Sequence, residues 1–306
     1  MMHNASTQRR SWLLAMLAAA NGTAARAQPA PAVGSAKLNV VASFSVLADM
    51  LREIGGDAVS VTALVGPDAD AHVFEPRPAD VQRVAQAGLV VVNGLGFEGW
   101  IERLVRSSGY KGVVAVATRG ITPRLQNGVA DPHAWQSLVL ARRYVENLRQ
   151  ALGQTLPAAT ALFDARAADY QRRIDDLHTT LLARLAQVPV AERKVVTSHD
   201  AFGYFAEAYG VEFRAPQGWS TASEASAADV ARIVRQLKAQ RVRALFVENI
   251  SDPRLLERIA REAGARVGGT LYSDALSPPG TAGDTYLRMF EHNAATLLAA
   301  LHRTAP

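Results

Sequence analysis

Residues 38–65 read LNVVASFSVLADMLREIGGDAVSVTALV, and this stretch holds one whole strand–helix–strand unit. Leu38 to Ala42 predicts a strand, Val46 to Ile54 an amphipathic helix, and Val59 to Val65 a second strand. The run VVASF (40–44) recurs in kind as LVVVN (89–93) and VVAVA (113–117). Apolar runs without polar alternation are what parallel strands covered on both faces require. Helices are expected between them, over Ala79 to Ala87 behind Pro78 and over Gly99 to Arg106. Two helical stretches follow, Ser137 to Leu156 and Ala158 to Val188, parted by Pro157. The second carries Leu162, Ala165, Tyr170, Ile174, Leu177, Leu181 and Leu185 near a 3.6 period. At about 1.5 Å per residue it reaches some 45 Å, more than one lobe needs, so it reads as the connection between two. Beyond Pro189 the alternation restarts, with strands at Val195–Ser198, Val211–Arg214, Ala244–Glu248 and Arg266–Tyr272. The helices between and after them are Ala201–Ala208, Ala227–Gln240, Arg254–Glu262 and Tyr286–His302. The fold class is α/β, two βα lobes with mainly parallel sheets.

The first residues read as an export signal: Arg9 and Arg10, an apolar run from Trp12 to Ala20, and the small-residue site Ala25-Arg26-Ala27, with cleavage after Ala27. Gln8 and Leu14 depart from a twin-arginine pattern, which favours the general export route. A Pro/Ala/Gly linker follows. The divisions are thus a signal over 1–27, a linker over 28–37, an N-terminal α/β lobe over 38–157, a connecting helix over 158–188 and a C-terminal α/β lobe over 189–306. No later segment is long and apolar enough to span a bilayer. The chain has no cysteine, which removes disulfides, thiolate ligands and a lipid-bearing Cys. Export without an anchor places the protein free in a periplasm. Three arginines leave with the signal and no acid does, so the formal charge falls from +5 to +2. The remaining arginines are interleaved with acids, and nucleic-acid binding is not indicated.

Three histidines and one aspartate stand where apolar runs give way to turns: His72 in GPDADAHVFEP, His133 in VADPHAW, His199 in KVVTSHD and Asp274 in GGTLYSDALS. Three imidazoles and a carboxylate are the donor set of a closed tetrahedral metal site. In open α/β sheets ligands bind beyond the carboxyl ends of strands. Two of the four belong to each half, so they meet only if the lobes face each other across a cleft. Each taken singly also reads as a capping or turn residue. His178, His292 and His302 lie in helical stretches and read as structural, while His3 is in the signal. Glu75, Asp200, Glu224 and Glu248 are candidates to accept the second ring N–H of a ligand histidine. Trp135, Phe202 and Tyr204 are candidates for a dry wall around the ion.

The segments VASFSVLADM, DAHVFEPRPADV, LVVVNGLGFEGW, DPHAW, VVTSHDAFGYFAEAYG, FVENISDPRL and GGTLYSDALS, in this order, resemble the periplasmic metal receptors of zinc and manganese ABC importers. The resemblance to these cluster A solute-binding proteins covers nearly the whole mature chain. It implies two α/β lobes joined by one long rigid helix, with the metal in the interlobe cleft. It makes His72, His133, His199 and Asp274 the first to fourth ligands, and the partner an inner-membrane ABC permease served by a monomeric, non-catalytic receptor. Manganese-type receptors tend to carry a glutamate at the third position, so His199 points to Zn²⁺, as does the nitrogen-rich donor set. The His-rich loop of many zinc receptors is missing, since Val73 to Asp131 holds no histidine, and Mn²⁺ or Fe²⁺ stay open as cargo. An exported zinc hydrolase would need Glu224 or Glu248 as base. The chain has no HExxH, GxSxG or P-loop.

Overall fold

The ends of the elements are set by local chemistry. The Ser137 hydroxyl accepts from the Leu140 N–H and starts a helix; Asp252 does the same for Arg254, with Pro253 at the first helical position. Gly109, Gly210 and Gly264 end three helices, the last of them the one Asp252 starts, at left-handed φ of 69°, 66° and 67°. The computed structural model describes residues 36–302 except 241 and 243, and the side chains of 240 and 302 are not described. The expected signal, and the linker up to 35, lie outside the described residues.

The first half contains β1 (Leu38–Phe44), α1 (Ser45–Gly55), β2 (Val59–Val65), α2 (Pro78–Ala85), β3 (Leu89–Val92), α3 (Ile101–Ser108) and β4 (Val113–Val116). A two-residue hairpin follows, β5 (Leu125–Gln126) and β6 (Val129–Ala130), then α4 (Leu138–Thr155) and α5 (Thr160–Leu185). The second half contains β7 (Lys194–Val196), α6 (Gly203–Tyr209), β8 (Glu212–Arg214), α7 (Ala227–Gln240), β9 (Ala244–Glu248), α8 (Pro253–Ala263), β10 (Arg266–Leu271) and α9 (Tyr286–His302). Each half builds a four-stranded sheet, in orders β2-β1-β3-β4 and β10-β9-β7-β8. Every pairing in both is parallel, as the unalternated apolar runs predict. The α/β, two-lobed expectation therefore holds, with helix and strand bounds within a few residues. The hairpin was not expected: two-residue strands are too short to show a period. Its signal is the dipeptide Asn127-Gly128, whose φ of 53° and 78° suit a two-residue turn.

From Lys37 on, the chain makes one compact unit. Its 26-residue helix α5 measures about 39 Å at the standard rise. It buries Phe163, Ala167, Tyr170, Ile174, Leu181 and Leu185, a single stripe at helical spacing. One apolar cluster runs from Val40, Val91 and Leu47 through Leu148 and Tyr170 to Phe205, Phe290 and Leu297, so the two sheets share a core. Burial of each such side chain contributes about 1.5–3 kcal/mol. A smaller cluster of Val196, Ile233, Leu237, Leu245 and Ile259 joins the second sheet to α7 and α8. Helix α9 is tied back to the first half: the Tyr286 N–H donates to Asp49 Oδ2 of α1 at 2.8 Å. Trp135 Nε1 and Gln136 Nε2 donate to the Ser273 carbonyl at 2.9 and 2.6 Å. These bonds fix the carboxyl ends of the two sheets toward each other.

Candidate metal centre

The backbone delivers each of the four donors by a different short device. His199 follows β7 after Thr197 and Ser198, and its backbone pairs in parallel with Gln217. Asp274 follows β10, with the neighbouring Ser273 carbonyl held by Trp135 and Gln136. His133 sits on a turn closed by its own aspartate: Asp131 Oδ1 accepts from the His133 backbone N–H at 3.0 Å and lies 2.8 Å from Nδ1. His72 lies in the loop after β2, where its N–H donates to Asp70 Oδ1 at 2.8 Å. The four meet. Their donor atoms all lie within 4.8 Å of one another. Asp274 Oδ2 is 3.1 Å from both His72 Nε2 and His199 Nε2, and Oδ1 is 3.6 Å from His133 Nε2. Zinc bonds of about 2.0–2.1 Å in a tetrahedron put neighbouring donors roughly 3.3 Å apart, so the spacing suits a small divalent ion.

His133, His199 and Asp274 are fully buried, and His72 is 4 % exposed at its side chain. His72 Nε2, His133 Nε2 and Asp274 Oδ1 are buried without a hydrogen-bond partner. Buried polar atoms are almost always satisfied, and three orphans facing one point mark a place that wants a cation.

Two rings are fixed by a second carboxylate. Glu248 grips His199 twice, with Oε1 accepting from the backbone N–H at 2.8 Å and Oε2 at 2.6 Å from Nδ1. Asp131 holds His133, and its other oxygen is 2.5 Å from Arg124 Nη1. In both, a proton on Nδ1 would face the acid, which leaves Nε2 to serve an ion once it has lost its own proton. Burial lowers the His133 pKa, but Asp274 and Asp131 outweigh it and lift it to about 8. Burial opposes protonation of His199 too, and Glu248 with Asp274 carries its pKa well above the usual imidazole range. Burial likewise raises the Asp274 pKa, yet His199 and His133 draw it well below the carboxylate range. The buried carboxylates Asp131, Glu248 and Asp274 sum to −3, and Arg124 returns +1. Two protonated imidazoles or one divalent ion would bring the cluster to neutrality.

Of the expected supporting acids, Glu248 alone reaches a ligand ring. Glu75 and Glu224 are exposed. The ring nitrogens turned away from the centre in His133 and His199 are served by Asp131 and Glu248 instead. Asp200 is half-buried, and burial raises its pKa against the pull of His133 and His199. Asp131, not singled out from sequence as a supporting acid, holds both the backbone N–H and the ring of His133; a carboxylate two residues before a candidate ligand was its signal. Trp135 lines the site edge-on, 5.2 Å from the His133 ring. Phe97, not singled out from sequence, packs edge-on against His72 at 4.7 Å. It is placed by the Gly94-Leu95-Gly96 turn, left-handed at all three residues, and by the buried Glu98 carboxylate, which accepts from Ser43, Asn93 and Gly94. A Cβ on Gly94 would meet Val116 Cγ1 at 2.6 Å. Phe202 stacks on Phe213, while the Tyr204 hydroxyl donates to the Asp131 carbonyl at 2.8 Å. His178 and His292 lie elsewhere, bonded to Tyr209 and to the Thr270 carbonyl.

Residues 40–300 match the family described as zinc-uptake complex component A, periplasmic (ZnuA). The chain is 34 % identical over 281 residues to the zinc-binding protein TroA of Treponema pallidum, spanning 89 % of this chain and 91 % of that one. The solved structure of the periplasmic zinc-binding protein TroA superposes with a TM-score of 0.84 at 31 % identity, over 87 % of this chain and 99 % of that one. Identity is 32 % over 265 residues to the manganese-binding lipoprotein MntA of Halalkalibacterium halodurans, covering 86 % and 88 % of the two chains. It is 32 % over 283 residues, 90 % of each, to the iron-binding protein YfeA of Yersinia pestis.

Proposed function

From the premise that this chain belongs to the ZnuA family of cluster A metal-binding solute-binding proteins, we propose that it is a periplasmic receptor that captures Zn²⁺ and hands it to an inner-membrane ABC permease. The ion is cargo, held by His72, His133 and His199 through Nε2 and by Asp274. The observation that carries this reading is the set of unpartnered buried atoms, His72 Nε2, His133 Nε2 and Asp274 Oδ1, turned on one point. Two of the donors come from each lobe, so the ion would bridge them, with α5 as the connecting helix. The receptor would act as a monomer, free of the membrane, after removal of residues 1–27.

Zinc is favoured by three imidazole nitrogens against one carboxylate. A manganese or ferrous-iron receptor is the second reading. It is supported by the relatives that carry those metals in their names, and by Asp274, both of whose oxygens lie within 3.6 Å of an imidazole nitrogen. Hydrolytic chemistry is disfavoured because four protein donors fill a tetrahedral shell and leave no position for an activated water. Glu248 is also committed to His199 and is no free base. Titration of metal-free protein with Zn²⁺, Mn²⁺ and Fe²⁺ should show tight one-to-one binding that ranks zinc first. His199→Ala should lose it. Equal binding by that variant would remove the site from the argument.

A further inference from the structure

The four donors are not held alike, and the difference falls on His72. His133 and His199 are clamped by buried carboxylates, and Asp274 follows a carbonyl gripped by two side chains. His72 has Phe97 against its ring, and it is the one donor with any side-chain exposure. What fixes the loop ahead of it is a seam to the other lobe. The Asp68 N–H donates to the Leu276 carbonyl at 2.9 Å. Asn249 Nδ2 donates to Asp68 Oδ1 at 2.8 Å. The Thr221 hydroxyl donates to Asp70 Oδ2 at 2.5 Å, while the other Asp70 oxygen holds the His72 N–H. Each partner lies near a part of the site in the chain: Asn249 follows Glu248, Leu276 lies two beyond Asp274, and Thr221 lies four beyond the Gln217 that pairs with His199. Beside this seam lies a cavity of about 590 Å³, lined among others by Asp70, Ser198, Gln217 and Thr221. Ser198, 7 % exposed, keeps an unpartnered hydroxyl there.

We propose that Thr221 and Asp70 are positioning residues for His72, and that their hydrogen bond sets the rate at which the ion leaves, by way of this cavity. The inference rests on the metal-receptor reading. With the bond made, Asp70 keeps the His72 backbone in place and the ring on the ion. With it broken, His72 is the ligand that swings away, because among the described residues no carboxylate holds its ring from the side away from the centre, as Asp131 and Glu248 hold His133 and His199.

The test loads the full-length mature protein with Zn²⁺ and mixes it in a stopped-flow instrument with excess 4-(2-pyridylazo)resorcinol, reading the dissociation rate. A part-buried hydrogen bond to a carboxylate acceptor carries enough free energy that Thr221→Val should release about tenfold faster, with the association rate changed less than about threefold. Thr221→Ser restores the hydroxyl and should stay within about twofold of wild type. Asn249→Ala, which cuts a second stitch, should also speed release. Wild-type release by Thr221→Val, or equally fast release by Thr221→Ser, overturns the proposal while leaving the receptor intact. Wild-type protein that takes up no ion overturns the receptor reading itself.

Discussion

Glu248→Gln tests the centre most sharply, because it removes a charge and keeps the shape. The Glu248 carboxylate meets His199 twice, accepting from its backbone N–H at 2.8 Å and pairing with its Nδ1 at 2.6 Å, with both residues fully buried. A glutamine offers one acceptor oxygen, so one of the two N–H groups must face its NH₂. The loss is one charge-assisted bond, about 1.5–3 kcal/mol, which corresponds to roughly ten- to a hundredfold in affinity. The size depends on pH, and the sign can be worked out. Glu248 also helps lift the His199 pKa, so in the wild type a proton competes with the metal there. Removing the charge lowers that pKa and relieves the competition. The penalty of the substitution should therefore be full only above the raised His199 pKa, and shrink as pH falls from there toward the usual imidazole range. Competition against a chromogenic chelator over that range measures both. A variant within twofold of wild type at high pH, or a penalty that grows toward acid, would refute the assignment of Glu248 as the group that fixes His199.

Charge balance makes a further prediction: near neutral pH, loading one divalent ion should expel about two protons, from His133 and His199. Calorimetry in buffers of different ionisation enthalpy counts them, and a value near zero contradicts the pKa directions. Phe97→Ala should cost about 3–5 kcal/mol of stability in chemical denaturation and weaken metal binding, since the ring is 1 % exposed and supports His72. Asp49, 7 % exposed, has its pKa raised to about 6, chiefly by burial. A raised carboxylate pKa means stability that is present below about pH 4 and lost as pH rises through about 6. Asp49→Asn keeps an acceptor for Tyr286 and should be more stable by up to about 3 kcal/mol near pH 8, with little difference near pH 4. A variant less stable at the higher pH would show that the ionised carboxylate stabilises the cap of α9.

Most of the fold was legible because parallel strands and amphipathic helices write their environment into their own residues. VVASF and LVVVN are apolar on both faces since helices cover both, and the stripe on α5 marks where it meets the core. The four candidate ligands were legible for a related reason: each closes a strand or its turn, where this class of sheet presents groups to a cleft. What escaped depends on contacts between distant segments. Glu248 and Glu224 are alike in sequence, and only the crossing of β9 beside β7 brings the first beneath His199. Phe97 reads as one more core aromatic until the left-handed turn at Gly94–Gly96 aims it at His72. The stitches from Asp68 and Asp70 to Asn249 and Thr221 span more than 150 residues and have no local trace.

The buried charge around the centre bears on how a membrane partner would recognise this protein. A cavity that exchanges two protons for one divalent ion has the same total charge empty and full. Seen from a Debye length away, about 8 Å at physiological salt, the two forms present nearly one electrostatic face. A permease that docks by charge would be met equally by both and occupied uselessly by the empty one. For a receptor of the kind proposed, discrimination between the two forms would then fall to shape rather than to charge.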